Sequence, residues 1–213
     1  MNDEGIKRNV IVIGTSAGGV SALQQLCAAL PADFPAIVGV VIHRSPWYQS
    51  DVPALYGRRA KISVREAKAH DRLELGTVYF APPDQHMLFK NPHIELSRSA
   101  KVHFVRPAVD CLFVSAATTF KNRVVGVLLT GGGSDGAQGL VKIKAQGGLT
   151  LVQKPEEASH PSMPLSGLRE NSPEAAVSLS ALPAILVALA KGEAITLEEP
   201  GAEYHVMGQR WCS

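Results

Sequence analysis

The chain is poor in cysteine and carries little net charge, and each shortage closes off a class of function. Its three cysteines, Cys27, Cys111 and Cys212, cannot close a disulfide framework, and none lies in a C-x-x-C pair. That usage fits reduced thiols, so a cytoplasmic location is expected. With a net charge of +2 and no run of Lys and Arg, the electrostatic footprint of a nucleic-acid binder is missing. The apolar run Ala36–Ile42 is far shorter than the ~20 residues of a membrane helix, so no insertion into a membrane is expected. Met1–Asn9 is polar and lacks the apolar centre of a signal peptide. The histidines show no H-x-x-x-H spacing and no acidic residues placed as co-ligands, so no metal is expected. Repeats, low-complexity blocks and Pro/Gly/Ser-rich linkers are also missing.

What remains is an alternation of strand-like and helical segments. The runs Val10–Ile13, Ile37–Ile42, Val124–Leu129 and Leu149–Val152 are apolar without in/out alternation, as in strands covered on both faces. Helical spacing appears at Val20–Leu30, Pro107–Phe120, Ala137–Ala145, Pro164–Glu170 and Leu182–Lys191. Repetition of strand and helix predicts a doubly wound, mostly parallel α/β sheet with helices on both faces. Thr77–Phe80, His86–Phe89 and His93–Leu96 are short and separated by turn residues, which predicts an antiparallel hairpin or meander inserted into that core.

The chemistry is expected beyond the carboxyl ends of the strands. Gly14-Thr15-Ser16-Ala17-Gly18 follows the first apolar run and precedes a helical segment. It fits G-x-S-x-G, in which glycines permit a sharp turn that projects the serine hydroxyl beside free helix N–H groups. His43 follows the second run, and Thr130-Gly131-Gly132-Gly133-Ser134-Asp135-Gly136 follows the third. If these strands are neighbours, Ser16, His43 and Asp135 supply a nucleophile, a general base and an orienting carboxylate.

Each has a plainer role beside it. His43 could be a polar strand cap, the triglycine a turn, and Asp135 a cap for the helix at Ala137. In that last role asparagine would replace aspartate at little cost. Among the other candidates, His86 lies in the predicted meander and Asp84 in a turn. Asp110 sits at a helix start, where it would serve its own helix, and His70, His93 and His103 are expected to be solvated. The order Ser16…His43…Asp135 is not that of an α/β-hydrolase. His43 also stands where a dinucleotide-binding unit would carry an acidic residue.

Several ordered motifs together resemble the catalytic domain of the bacterial chemotaxis protein-glutamate methylesterases (CheB-type). They are Gly14–Gly19, Ile42-His43, Tyr79–Met87, Arg106–Asp110 with Leu112-Phe113, and Leu129–Ala137, with Gln153 and Met163-Pro164 further on. The resemblance spans about Val10 to Lys191, within a division into a polar tail (1–8), a catalytic domain (9–192) and a C-terminal tail (193–213). It implies hydrolysis of glutamyl methyl esters on chemoreceptor cytoplasmic helices, or on another methyl-esterified protein, with release of methanol. Deamidation of receptor glutamines is a further implied reaction. It implies Ser16, His43 and Asp135 as the triad and no cofactor.

Three positions depart from the family pattern. Ala17 replaces a common threonine, Gly132 a methionine and Ser134 an asparagine. Ala17 and Gly131–Gly133 are therefore the expected oxyanion and pocket residues, and substrate choice is the property in question. A related esterase or amidase, or a non-catalytic receptor-binding module, is the alternative. The family's receiver domain is not seen before Val10, so regulation is expected from a separate protein.

Overall fold

A computed structural model describes residues 5–43, 51–198 and 200; the tail residues 1–4 and 201–213 lie outside the described residues. Strands β1 (Val10–Thr15), β2 (Ile37–Ile42), β3 (Ser63–Glu66), β4 (Thr77–Phe80), β7 (Val124–Leu128), β8 (Leu149–Gln153) and β9 (Ala175–Val177) form a seven-stranded sheet in the order β3-β4-β2-β1-β7-β8-β9. Every pairing within it is parallel. From β1 at the centre, the chain builds out one side and then returns to build the other. That reversal opens a crevice at the carboxyl ends of β1 and its neighbours.

The apolar runs lack alternation because both faces of each strand are buried. Ile11, Ile13, Val38 and Val40 pack with Leu23 and Leu26 of α1 (Gly19–Ala29) and with Leu182 and Leu186 of α5 (Leu182–Lys191). Val10, Val12 and Val41 face the opposite way. There they pack with Val109 and Phe113 of α2 (Val109–Phe120), Leu140 of α3 (Ala137–Ala145) and Leu168 of α4 (Ser162–Asn171). Each such side chain contributes roughly 1.5–3 kcal/mol on burial, so two apolar layers fix the strand register.

The inserted element is smaller than the sequence suggests. Among the strands of the described residues, only β5 (His86–Lys90) and β6 (His93–Ser97) pair antiparallel. This hairpin is tied to α2, where the Phe89 N–H donates to Ser115 Oγ at 3.0 Å and Thr119 Oγ1 donates to Phe89 O at 3.0 Å. Thr77–Phe80 does not join a meander: as β4 it lies between β2 and β3 in the parallel sheet, buried at all four residues. Four residues are too few for periodicity to separate a half-covered strand from a fully covered one. Periodicity in the sequence predicts neither β3 nor β9; β3 is a largely polar, partly exposed edge and β9 has only three residues.

Candidate active site

Ser16 and His43 are each the first residue beyond a strand end. β1 and β2 pair with Thr15 opposite Ile42, so Ser16 and His43 occupy the next rung. The His43 N–H still donates to Thr15 O at 3.2 Å, which holds the two backbones near the ~4.8 Å spacing of paired strands. The continuation of β7 closes the other side: Thr130 O accepts the Ser16 N–H at 3.1 Å and Thr15 Oγ1–H at 2.6 Å. Gln153, at the end of β8, accepts the Thr130 N–H through Oε1 at 2.9 Å.

The turn at Ser16 depends on missing side chains. A Cβ on Gly14 would stand 2.3 Å from Val109 Cγ1, so only glycine lets the start of α2 approach β1 here. Ser16 is half-buried and Ala17 exposed. Helix α1 begins at once, with Gly18 as its N-cap, no side-chain cap and no acidic residue in its first turn. Its positive end is therefore available to a negative charge developing beside Ser16.

Across the crevice, His43 Nε2 lies 2.8 Å from Asp135 Oδ2. Asp135 is 3% exposed, and the His43 side chain 16%. The same Oδ2 accepts the Val109 N–H at 2.7 Å, and Oδ1 accepts the Asp110 N–H at 3.0 Å. An ionised carboxylate can only accept, so in the neutral ring this contact places the proton on Nε2 and leaves the Nδ1 lone pair free. Nδ1 is thus the ring atom able to take a proton from a nucleophile.

The caps are crossed. Asp135 serves α2 instead of the helix that follows it, and Asp110 serves α3 instead of its own helix: Asp110 Oδ1 accepts the Gly139 N–H at 2.6 Å. Asp110 Oδ2 also meets His103 Nε2 at 2.8 Å, so His103 is half-exposed but paired. Burial pushes the Asp110 carboxyl above its ordinary range, and the neighbouring Asp135 charge adds to this; the Gly139 N–H and His103 oppose it. A carboxyl raised in the folded state favours the protonated protein, so its contribution to stability is lost as pH rises through its titration. Asp110→Asn should therefore remove part of the decline in melting temperature as pH climbs from about 4. Parallel melting curves of both proteins test this; identical pH slopes would show that Asp110 adds nothing to them.

The other sequence candidates are engaged elsewhere. His86 is fully buried, its Nδ1 accepting the Ala108 N–H at 3.1 Å and its Nε2 donating to Ala100 O at 3.1 Å. Both ring nitrogens are occupied. Asp84 Oδ1 accepts from Arg106 Nε at 3.0 Å and Nη2 at 2.7 Å, and that guanidinium pulls its carboxyl below the ordinary range. His70 and His93 are exposed.

His103, Asp110 and Asp135 bring ligand-type atoms within 4.8 Å of one another, a grouping that linear spacing does not reveal. Asp135 already accepts from Val109, Asp110 and His43, and Asp110 from Gly139 and His103. A cation would have to compete with that network.

The triglycine divides into separate roles. The Gly131 N–H donates to His160 O at 2.8 Å, and its carbonyl accepts from Met163 at 3.0 Å. A Cβ on Gly131 would stand 2.1 Å from Met163 Sδ and 3.0 Å from Ser16 Cβ, so this glycine sets the approach of two segments. Gly132 and Gly133 are exposed, and a Cβ on either meets nothing within 4 Å. Thr130 binds the site together: its Oγ1 donates to Ala17 O at 3.0 Å and accepts the His160 N–H at 2.9 Å. Neither Thr130 nor Gln153 was singled out from the sequence for this bracing role. A buried polar residue at the end of an apolar strand is the signal that could have found Gln153.

The family model described as CheB methylesterase matches residues 11–186. A protein-glutamate methylesterase/protein-glutamine glutaminase of Symbiobacterium thermophilum is 42% identical over 149 residues, 70% of this chain and 41% of that protein. One of the same description from Pyrococcus horikoshii is 35% identical, over 84% of this chain and 50% of its own length. A Leptospira interrogans relative is 36% identical over 84% of this chain and 93% of its own length. The crystal structure of the Thermotoga maritima CheB methylesterase catalytic domain superposes with a TM-score of 0.79 at 32% identity, over 85% of this chain and 98% of that one.

Proposed function

The chain belongs to the CheB methylesterase family, and on that premise we propose that it hydrolyses glutamyl methyl esters of a protein, releasing methanol. Ser16 Oγ attacks the ester carbonyl as His43 Nδ1 takes its proton. Asp135 holds the Nε2–H and offsets the positive charge that forms on the ring. The tetrahedral oxyanion is stabilised by backbone N–H groups at Ala17 and the outer triglycine, with the uncapped start of α1 behind them. Collapse breaks the carbon–oxygen bond to methoxide, which leaves as methanol with the proton from His43. Water then attacks the acyl-enzyme by the same route and frees the glutamate.

The observation that carries this assignment is the 2.8 Å contact of His43 with Asp135, on the rung that His43 shares with Ser16 just beyond the end of the central strand. The substrate is a methylated chemoreceptor cytoplasmic helix or another methyl-esterified protein, met in the cytoplasm. No helix among the described residues is long and apolar enough to cross a membrane. Methanol release from a methylated receptor fragment is the deciding assay. A chain that binds the fragment and releases none would be a binding module.

The open space at Gly132 favours a second possibility, a wider pocket that admits another ester or an amide. Methionine at 132 meets no atom at its Cβ, so Ala17→Thr with Gly132→Met should fold normally. On a receptor methyl ester the double variant should match or exceed the parent in turnover. A clear loss on that ester, with the fold intact, would show that a bulkier group occupies the space.

A further inference from the structure

Between β6 and α2 the chain makes a tight turn that the triad chemistry does not use. Val102 and Val105 exchange backbone hydrogen bonds, at 3.2 Å from the Val102 N–H and 3.0 Å from the Val105 N–H. His103 and Phe104 are thus the two central residues, with φ of 49° and 63°. Positive φ at both positions of a two-residue hairpin loop is the geometry that selects Asn-Gly, and a bulky side chain there is an outlier. Such strain persists only where the surroundings over-determine it.

They do so here. His103 is held by Asp110 at 2.8 Å. Arg106 grips Asp84 through two nitrogens and donates to Arg98 O at 2.9 Å and Ser99 O at 2.7 Å. Yet Phe104 is 94% exposed, so its ring does not offset that constraint by packing on the described residues. It is one residue from His103, whose ring nitrogen lies within 4.8 Å of the carboxylates of Asp110 and Asp135. An aromatic knob therefore stands on a braced turn at the rim of the site. Exposed Arg98 and Lys101 belong to the same segment, and both cations act on Asp84.

We propose that Phe104 is a specificity-determining residue that seats an apolar side chain of the protein segment bearing the ester, while Arg98 and Lys101 attract acidic neighbours of that segment. This rests on the proposed hydrolysis of protein glutamyl esters. A small ester would reach Ser16 without touching the turn.

Phe104→Asn keeps a residue that tolerates positive φ, so melting temperature should hold or rise. On a methylated receptor fragment kcat/KM should fall about 10- to 100-fold, the span that burial of a phenyl ring covers. The loss should lie in KM, with kcat at saturation and hydrolysis of N-acetylglutamate γ-methyl ester unchanged. Phe104→Tyr should remain close to the parent. Unchanged kinetics of Phe104→Asn on the fragment, or a fall confined to kcat, would overturn the role of Phe104. So would a parent dimer that Phe104→Asn converts to monomer without altering kcat/KM, since the ring would then seat a second copy. A parent inactive on the fragment would overturn the proposed function, and the docking role with it.

Discussion

Ser16→Ala should lower ester hydrolysis by about 10⁴- to 10⁶-fold, because the members of the proposed triad act as a unit and the remaining catalysis would come only from binding and oxyanion stabilisation. Folding should scarcely notice. The contacts that fix the turn, from the Ser16 N–H to Thr130 O and from the Gly19 N–H to Ser16 O, belong to the backbone and survive in alanine. The change in stability should stay within roughly 0.5 kcal/mol, as for surface substitutions that break no special feature. Methanol release from a methylated receptor fragment, read beside a melting curve, makes the test. A variant that keeps the parent's rate would remove Ser16 as nucleophile.

Asp135→Asn should damage both rate and stability, for separable reasons. Both carboxylate oxygens accept a backbone N–H at the start of α2, whereas an amide has one accepting oxygen. That oxygen would favour the Oδ2 position, where the Val109 N–H and His43 converge, leaving an NH₂ against the buried Asp110 N–H. An orphaned buried donor costs about 1–3 kcal/mol, which in a domain of this size lowers the melting temperature by roughly 2–12 °C. The reading of Asp135 as a cap for the helix that follows it predicts almost no loss of stability. Catalysis should fall by about 10²–10⁴-fold, since the amide supplies no charge to the imidazolium formed in the transition state. Assays well below the variant's melting temperature separate the effects: the thermal loss is avoided and the electrostatic one persists. Full activity under those conditions would leave Asp135 as a cap for α2 and nothing more.

The G-T-S-A-G turn was legible because its causes are local: glycines flanking a serine, an apolar strand before and an amphipathic helix after. The helices at 137–145 and 182–191 were read with the bounds the structure shows, since long periodic segments carry their own signal. Thr77–Phe80 carried no such signal. What makes it part of the sheet is its pairing with Ile37–Val40 on one side and Ser63–Glu66 on the other. His86 and His43 could be ranked by chain position, but what occupies the His86 ring nitrogens is set by Ala100 and Ala108.

By itself the sequence determined the order of the central strands β1, β2, β7 and β8 and of the helices, the two-sided burial of those strands, and the residue types at each strand end. Glycine placement and apolar periodicity act over a few residues and can be read from them. The tertiary structure alone decided which carboxylate serves which helix. Asp135 reaches back to the start of α2, Asp110 reaches forward to α3, and His43 meets Asp135 across 92 positions of chain. Those partners are chosen by the parallel stacking of β2, β1 and β7 and by the close approach of α2 over Gly14. Such pairings depend on the packing of distant segments, so no local stretch of residues records them.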